Sequence, residues 1–119
     1  MPINAMITED DLLSRTMLCD LLEDYFPDVH IVNMAQTVKD TVAFLKDHKI
    51  DLLFLDIELP DGMGFDILRS LQNWDFKVII TTSYVKFEDE KASFDILHSI
   101  LKPLTRESLE KALTCPDWQ

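Results

Sequence analysis

Asp56 closes an apolar run, Leu52-Leu53-Phe54-Leu55, and is followed by Ile57-Glu58-Leu59-Pro60 and a turn bearing Gly62 and Gly64. A carboxylate at the C-terminal end of a buried strand stands where open α/β sheets bind their ligands. The acidic triple Glu9-Asp10-Asp11, the hydroxyls Thr81-Thr82-Ser83 and the pair Lys102-Pro103 each follow another apolar run. Carboxylates, a hydroxyl and a lysine gathered at one sheet edge point to phosphoryl transfer onto an aspartate with a divalent metal. Carboxylates accept a loose, metaphosphate-like phosphoryl group well.

The elements that must position these groups alternate between strand and helix about five times, as in a doubly wound parallel sheet. Strands are expected at Ile3 to Thr8, Val29 to Met34, Ile50 to Asp56, Phe76 to Thr82 and Ser99 to Leu101. The third is apolar on both faces, which predicts a central strand covered on both sides. A first helix spans Leu12 to Phe26, with Leu18, Leu21, Leu22 and Tyr25 at helical spacing, and Pro27 stops it. Thr37, with Asp40 three residues on, opens a second helix to about His48, with Val38, Val42 and Leu45 on one face. Further helices are expected at Phe65 to Gln72, at Phe87 to Phe94 and, capped by Thr105, to about Leu113. The segment Thr114 to Gln119 reads as a tail, and residues 1–119 read as one domain with its core over about 3–113.

A chain of 119 residues with 47% hydrophobic content can bury a real core. Its net charge of −11 disfavours direct binding of nucleic acid, where phosphate contacts dominate affinity. Cys19 and Cys115 make no disulfide framework and read as reduced thiols of a cytoplasmic protein. No stretch approaches the roughly 20 apolar residues of a membrane span, and no signal peptide is visible. His30, His48 and His98 lack metal-ligand spacing and read as surface or boundary residues. Trp74 and Trp118 read as packing and tail residues.

The four motifs, in this order at strand ends, resemble those of the receiver domain of two-component response regulators. The resemblance runs from about Met6 to Leu113. The stretches Phe54-Leu55-Asp56-Ile57-Glu58-Leu59-Pro60 and Ile100-Leu101-Lys102-Pro103-Leu104 look most like receivers that precede LytTR-type DNA-binding domains. The resemblance implies a flavodoxin-like (βα)5 three-layer sandwich with five parallel strands in the order 2-1-3-4-5. It implies that Asp56 accepts a phosphoryl group from a histidine kinase. It also implies that Glu9, Asp10 and Asp56, with the backbone carbonyl of Glu58, hold Mg2+. Two carboxylates suit this hard cation, and like charges about 4–5 Å apart otherwise repel by roughly 3–4 kcal/mol at an effective dielectric near 20. Asp11 is left to cap the first helix. Thr82 matches the switch hydroxyl, although Thr81 and Ser83 leave the register open by one. Lys102 pairs with Asp56 or its phosphate, followed by a cis Pro103.

The chain departs from the family pattern at Ser99, where receivers usually carry a Tyr or Phe three residues before the lysine. Serine cannot fill that volume, so either the switch is carried otherwise, by Tyr84 or His98 nearby, or this surface signals differently. Glu58 and Tyr84 line the mouth of the site in the family. The leading expectation is a signalling phosphoacceptor with self-catalysed phosphotransfer and autodephosphorylation. It would report to a downstream protein, or form a homodimer, through the face spanning residues 87–113. The alternative is a phosphorylation-independent interaction module with the same fold, which Ser99 favours. A receiver cut from a longer DNA-binding regulator would carry the same residues.

Overall fold

Five strands run parallel in one sheet, and the residues of the middle one, Leu52–Asp56, are all buried. The computed structural model describes residues 2–71, 73–83, 94 and 96–114. In chain order the elements are β1 (Ile3–Thr8), α1 (Leu12–Tyr25), β2 (Val29–Ala35), α2 (Val38–Asp47), β3 (Leu52–Asp56), β4 (Glu58–Leu59), β5 (Gly62–Met63), α3 (Gly64–Ser70), β6 (Lys77–Thr82), β7 (His98–Leu101) and α4 (Arg106–Leu113). The sheet order is β2-β1-β3-β6-β7. With the two-residue strands β4 and β5 set aside, this is the expected order 2-1-3-4-5.

Side-chain alternation divides the core into two layers. Met6, Leu53, Leu55, Val78 and Ile80 face α2 and α3, while Ala5, Ile7, Leu52, Phe54 and Ile79 face α1 and α4. The near-continuous apolar run of β3 is therefore explained by its central place, since each face must meet a helix layer. Leu18 and Leu22 are the buried residues of α1; Tyr25 is exposed, with the Arg106 guanidinium 4.4 Å over its ring. Trp74, half-buried, packs beside Phe76 and Phe94 against the core. His30 and His48 are exposed, and His98 and Cys19 are half-buried.

Several boundaries move. β3 begins at Leu52 rather than Ile50, and β7 begins at His98 rather than Ser99. α3 starts at Gly64, with the Met63 N–H bonded to Asp66 Oδ2 at 2.9 Å. The turn after Asp56 is a small antiparallel hairpin, β4 against β5, too short to carry any periodicity. Thr37 caps α2 by accepting from the Asp40 N–H at 3.0 Å. The N–H groups of Val38 and Lys39 instead bond the Asp61 carboxylate at 2.8 and 3.1 Å, which ties the hairpin to α2. Thr105 caps α4 through the Ser108 N–H. The expected helix at Phe87 to Phe94, Tyr84, Cys115 and Trp118 lie outside the described residues, Phe94 excepted.

Candidate functional site

Parallel strands end together, so the C-terminal ends of β1, β3, β6 and β7 bring residues far apart in sequence to one rim. Glu9 follows β1, Asp56 ends β3 and Lys102 follows β7; Glu9 is 4% exposed and Asp56 7%. The Lys102 ammonium donates to Glu9 Oε1 at 2.5 Å and to Asp56 Oδ2 at 3.5 Å. The Lys102–Pro103 peptide is cis. An open cleft of about 470 Å³ lies over these groups, with Asp10, Glu58 and Ser83 on its walls.

Glu9 is held from three sides. Its N–H donates to the Ala35 carbonyl at 3.0 Å, and its own carbonyl accepts from the Arg15 guanidinium at 2.9 Å. Its Oε2 accepts from the Asp11 N–H at 3.2 Å. Asp11 caps α1, as expected, by accepting from the Ser14 N–H at 2.9 Å. That bond holds its carboxyl below the ordinary carboxylate range.

Glycine is needed where β3 turns into the hairpin and α3. A Cβ on Gly64 would stand 2.3 Å from the Asp56 carbonyl oxygen, closer than any side-chain carbon tolerates. The Gly64 N–H also donates to the Ile57 carbonyl at 2.5 Å. The chain thus folds back tightly behind Asp56 and keeps its carboxylate at the rim.

The electrostatics follow from this crowding. Burial, then the hydrogen bond and charge of Glu9, push the Asp56 carboxyl up from 3.8 to about 7; Lys102 and the Glu58 backbone N–H oppose the rise. Burial disfavours the Lys102 charge, but the Glu9 and Asp56 carboxylates outweigh it and hold its pKa above the ordinary lysine value. Carboxylate oxygens of Glu9, Asp10 and Asp56 all lie within 4.8 Å of one another. Mg2+ takes oxygen ligands at about 2.0–2.1 Å, so oxygens on opposite sides of it stand about 4 Å apart. Three hard donors at this spacing fit the ion after small side-chain adjustment. The Glu58 side chain is exposed and lines the cleft.

Thr81 pairs with Asp56 in the ladder, and Thr82 is the last residue of β6. Both are buried. Alternation puts Thr81 on the face of Ile79 and Asp56, and Thr82 on the face of Val78 and Ile80. Thr82 accepts the Lys102 backbone N–H through its carbonyl at 2.7 Å. Ser99, paired with Ile80, is half-buried on the Thr82 face. Sequence reasoning missed Arg15 and Asp61. Arg15 was readable as a lone cation four residues after the helix cap; Asp61 was not, because its partners lie 22 and 23 residues earlier.

Comparison with known proteins identifies the family and the fold. The family model for the response regulator receiver domain matches residues 5–114. The sensory transduction protein LytT of Bacillus anthracis is 31% identical over 113 residues, which cover 93% of this chain and 46% of that protein. The transcriptional regulatory protein CitT of Bacillus subtilis is 30% identical over 115 residues, covering 93% and 50%. The chain therefore spans about half the length of the curated relatives it matches. The response regulatory domain of protein mrkE from Klebsiella pneumoniae superposes with a TM-score of 0.87 at 22% identity, covering 98% of both chains. A CheY-like receiver domain from Methylobacillus flagellatus superposes with a TM-score of 0.78 at 20% identity over the full length of both. With a family model matching nearly its whole length and relatives at 30 and 31% identity, the chain belongs to the response regulator receiver domain family.

Proposed function

We propose that this chain is a Mg2+-dependent phosphoacceptor in two-component signalling, with Asp56 as the acceptor. An ionised Asp56 oxygen attacks the phosphorus of a histidine kinase's phosphohistidine. The P–N bond breaks, the imidazole nitrogen takes a proton, and an acyl phosphate forms on Asp56. Lys102 neutralises the phosphoryl oxygens, and the hydroxyl of Thr82 hydrogen-bonds one of them. Mg2+, when bound by Glu9, Asp10, Asp56 and the Glu58 carbonyl, supplies charge neutralisation at the same oxygens. The observation that carries this reading is the buried Asp56 carboxylate, 3.5 Å from the Lys102 ammonium and within 4.8 Å of two further acids.

Hydrolysis of the acyl phosphate ends the signal, with Glu58 at the mouth of the cleft tuning entry of the attacking water. Output is a shift between two pre-existing states, which the phosphoryl group biases through its differential contacts with Thr82 and Lys102. A downstream protein, or a second copy of the chain, reads residues 87–113, of which 87–93 and 95 lie outside the described residues. The relatives' roles in sensory transduction and transcriptional regulation support such a signalling role; its place is the cytoplasm, without direct contact of this chain with nucleic acid. Among the described residues no helix is long and apolar enough to cross a membrane.

Incubation with a small phosphodonor and Mg2+ tests the proposal by intact mass. The native chain gains one phosphoryl group and Asp56→Asn gains none. Labelling that survives Asp56→Asn places the acceptor elsewhere. Absence of labelling in the native chain, together with absence of beryllium fluoride binding, favours the phosphorylation-independent module to which Ser99 points.

A further inference from the structure

The Arg15 guanidinium bonds no carboxylate of the site. Its hydrogen bond of 2.9 Å goes to the backbone carbonyl of Glu9. That carbonyl belongs to the peptide plane joining Glu9 to Asp10, the two acids that β1 delivers to the cleft. The Glu9 N–H is fixed to the end of β2 through Ala35, and the Asp11 N–H closes on Glu9 Oε2. Between these two anchors, the Glu9–Asp10 plane can rotate unless its carbonyl is held. Rotation would swing the exposed Asp10 carboxylate away from Glu9 and Asp56. Arg15 is half-buried on the first turns of α1, and its own backbone N–H bonds the carbonyl of the cap residue Asp11 at 3.0 Å. Its reach is therefore set by a rigid helix.

We infer that Arg15 is a positioning residue for the acid pair, setting metal affinity through the orientation of the Glu9–Asp10 peptide. The inference rests on the Mg2+ site proposed above. Charge and position make opposite demands here, which gives the experiment its power. A cation beside a Mg2+ site repels the ion, so loss of its charge alone tightens binding. Loss of an outer-shell anchor weakens metal affinity, typically by about 10- to 100-fold.

Mg2+ titrations followed by amide NMR on the native chain, Arg15→Ala and Arg15→Lys decide the matter. Arg15→Ala is expected to raise the Mg2+ Kd about tenfold, with its urea midpoint and β-sheet amide shifts retained. Arg15→Lys keeps the charge and a donor on a shorter stem, and restores part of the affinity. It also serves if Arg15→Ala fails to fold, since a native Kd in Arg15→Lys together with an unfolded Arg15→Ala overturns the inference. An unchanged or lower Kd in folded Arg15→Ala overturns it as well. Failure of the native chain itself to bind Mg2+ overturns the site reading, and the inference falls with it; native binding with an indifferent Arg15 overturns the inference alone.

Discussion

The Lys102 ammonium lies 2.5 Å from Glu9 and 3.5 Å from Asp56. The chain carries glutamate at position 9, and its side chain, one methylene longer than that of aspartate, reaches across to the lysine. Lys102 therefore sits among the carboxylates as a tethered cation beside the proposed Mg2+ site. An ammonium and a divalent ion that share a carboxylate compete, because each lowers the negative potential that attracts the other. Lys102→Met removes the charge while keeping the length. Its Mg2+ Kd is expected to fall about tenfold, or about 1.4 kcal/mol, by calorimetric titration. An unchanged or higher Kd would show that the ammonium does not stand in the ion's way.

The raised Asp56 carboxyl gives stability a pH signature. Asp56 titrates near 7 in the folded chain against 3.8 ordinarily, chiefly because burial penalises its charge. The folded state thus holds a proton that the unfolded chain releases. The stabilisation is complete below about pH 4 and is lost as pH rises through about 7. In chelator the thermal midpoint is expected to fall between pH 5 and pH 8. Metal ligands must be deprotonated, so Mg2+ restores stability at pH 8 and has little effect at pH 5. An equal Mg2+-induced shift at both values would mean that Asp56 is ionised throughout, contrary to its surroundings.

The parts of this site that were legible in the sequence are those fixed by strand ends. Glu9, Asp56 and Lys102 each follow an apolar run, and a parallel sheet brings such ends together whatever their separation in the chain. The N-caps Asp11, Thr37 and Thr105 were legible because capping is local, within three residues. The tie from Asp61 to α2 and the lean of Lys102 toward Glu9 were not. Both are contacts between segments whose meeting distance depends on the finished packing. The hairpin after Asp56 was read only as a turn, since two residues per strand carry no alternation.

Gly64 sets how closely α3 approaches the end of β3. A methyl group there meets the Asp56 carbonyl oxygen at 2.3 Å and Leu55 Cγ at 3.1 Å, both in the buried centre of the sheet. The first contact is with backbone, which cannot rotate away. Gly64→Ala is expected to cost about 3 kcal/mol by urea denaturation, and to shift the amide resonance of Asp56. A loss under about 0.5 kcal/mol would show that β3 and α3 can separate freely, and that the tight return does not hold Asp56 in place.

Thr82 and Thr81 compete for the role of switch hydroxyl, and their surroundings differ. Thr81 stands beside Asp56 in the ladder, but it lies on the α1 and α4 face with Ile79 and Ile100. Thr82 ends β6, shares a face with Ser99, and its carbonyl holds the backbone N–H of Lys102 at 2.7 Å. A displacement at Thr82 therefore pulls directly on Lys102 and the strand before it, which carries Ser99, whereas one at Thr81 presses into packed aliphatic side chains. In Thr82→Ala, beryllium fluoride with Mg2+ is expected to shift the amides of Glu9 and Asp56 as in the native chain, while those of Ser99 and Leu101 stay still. In Thr81→Ala both groups should respond. The reverse pattern would assign the switch to Thr81, one residue earlier than the family pattern places it. Stillness of Ser99 in the native chain itself would mean that serine, lacking the bulk of the usual aromatic ring, has uncoupled this strand from the site.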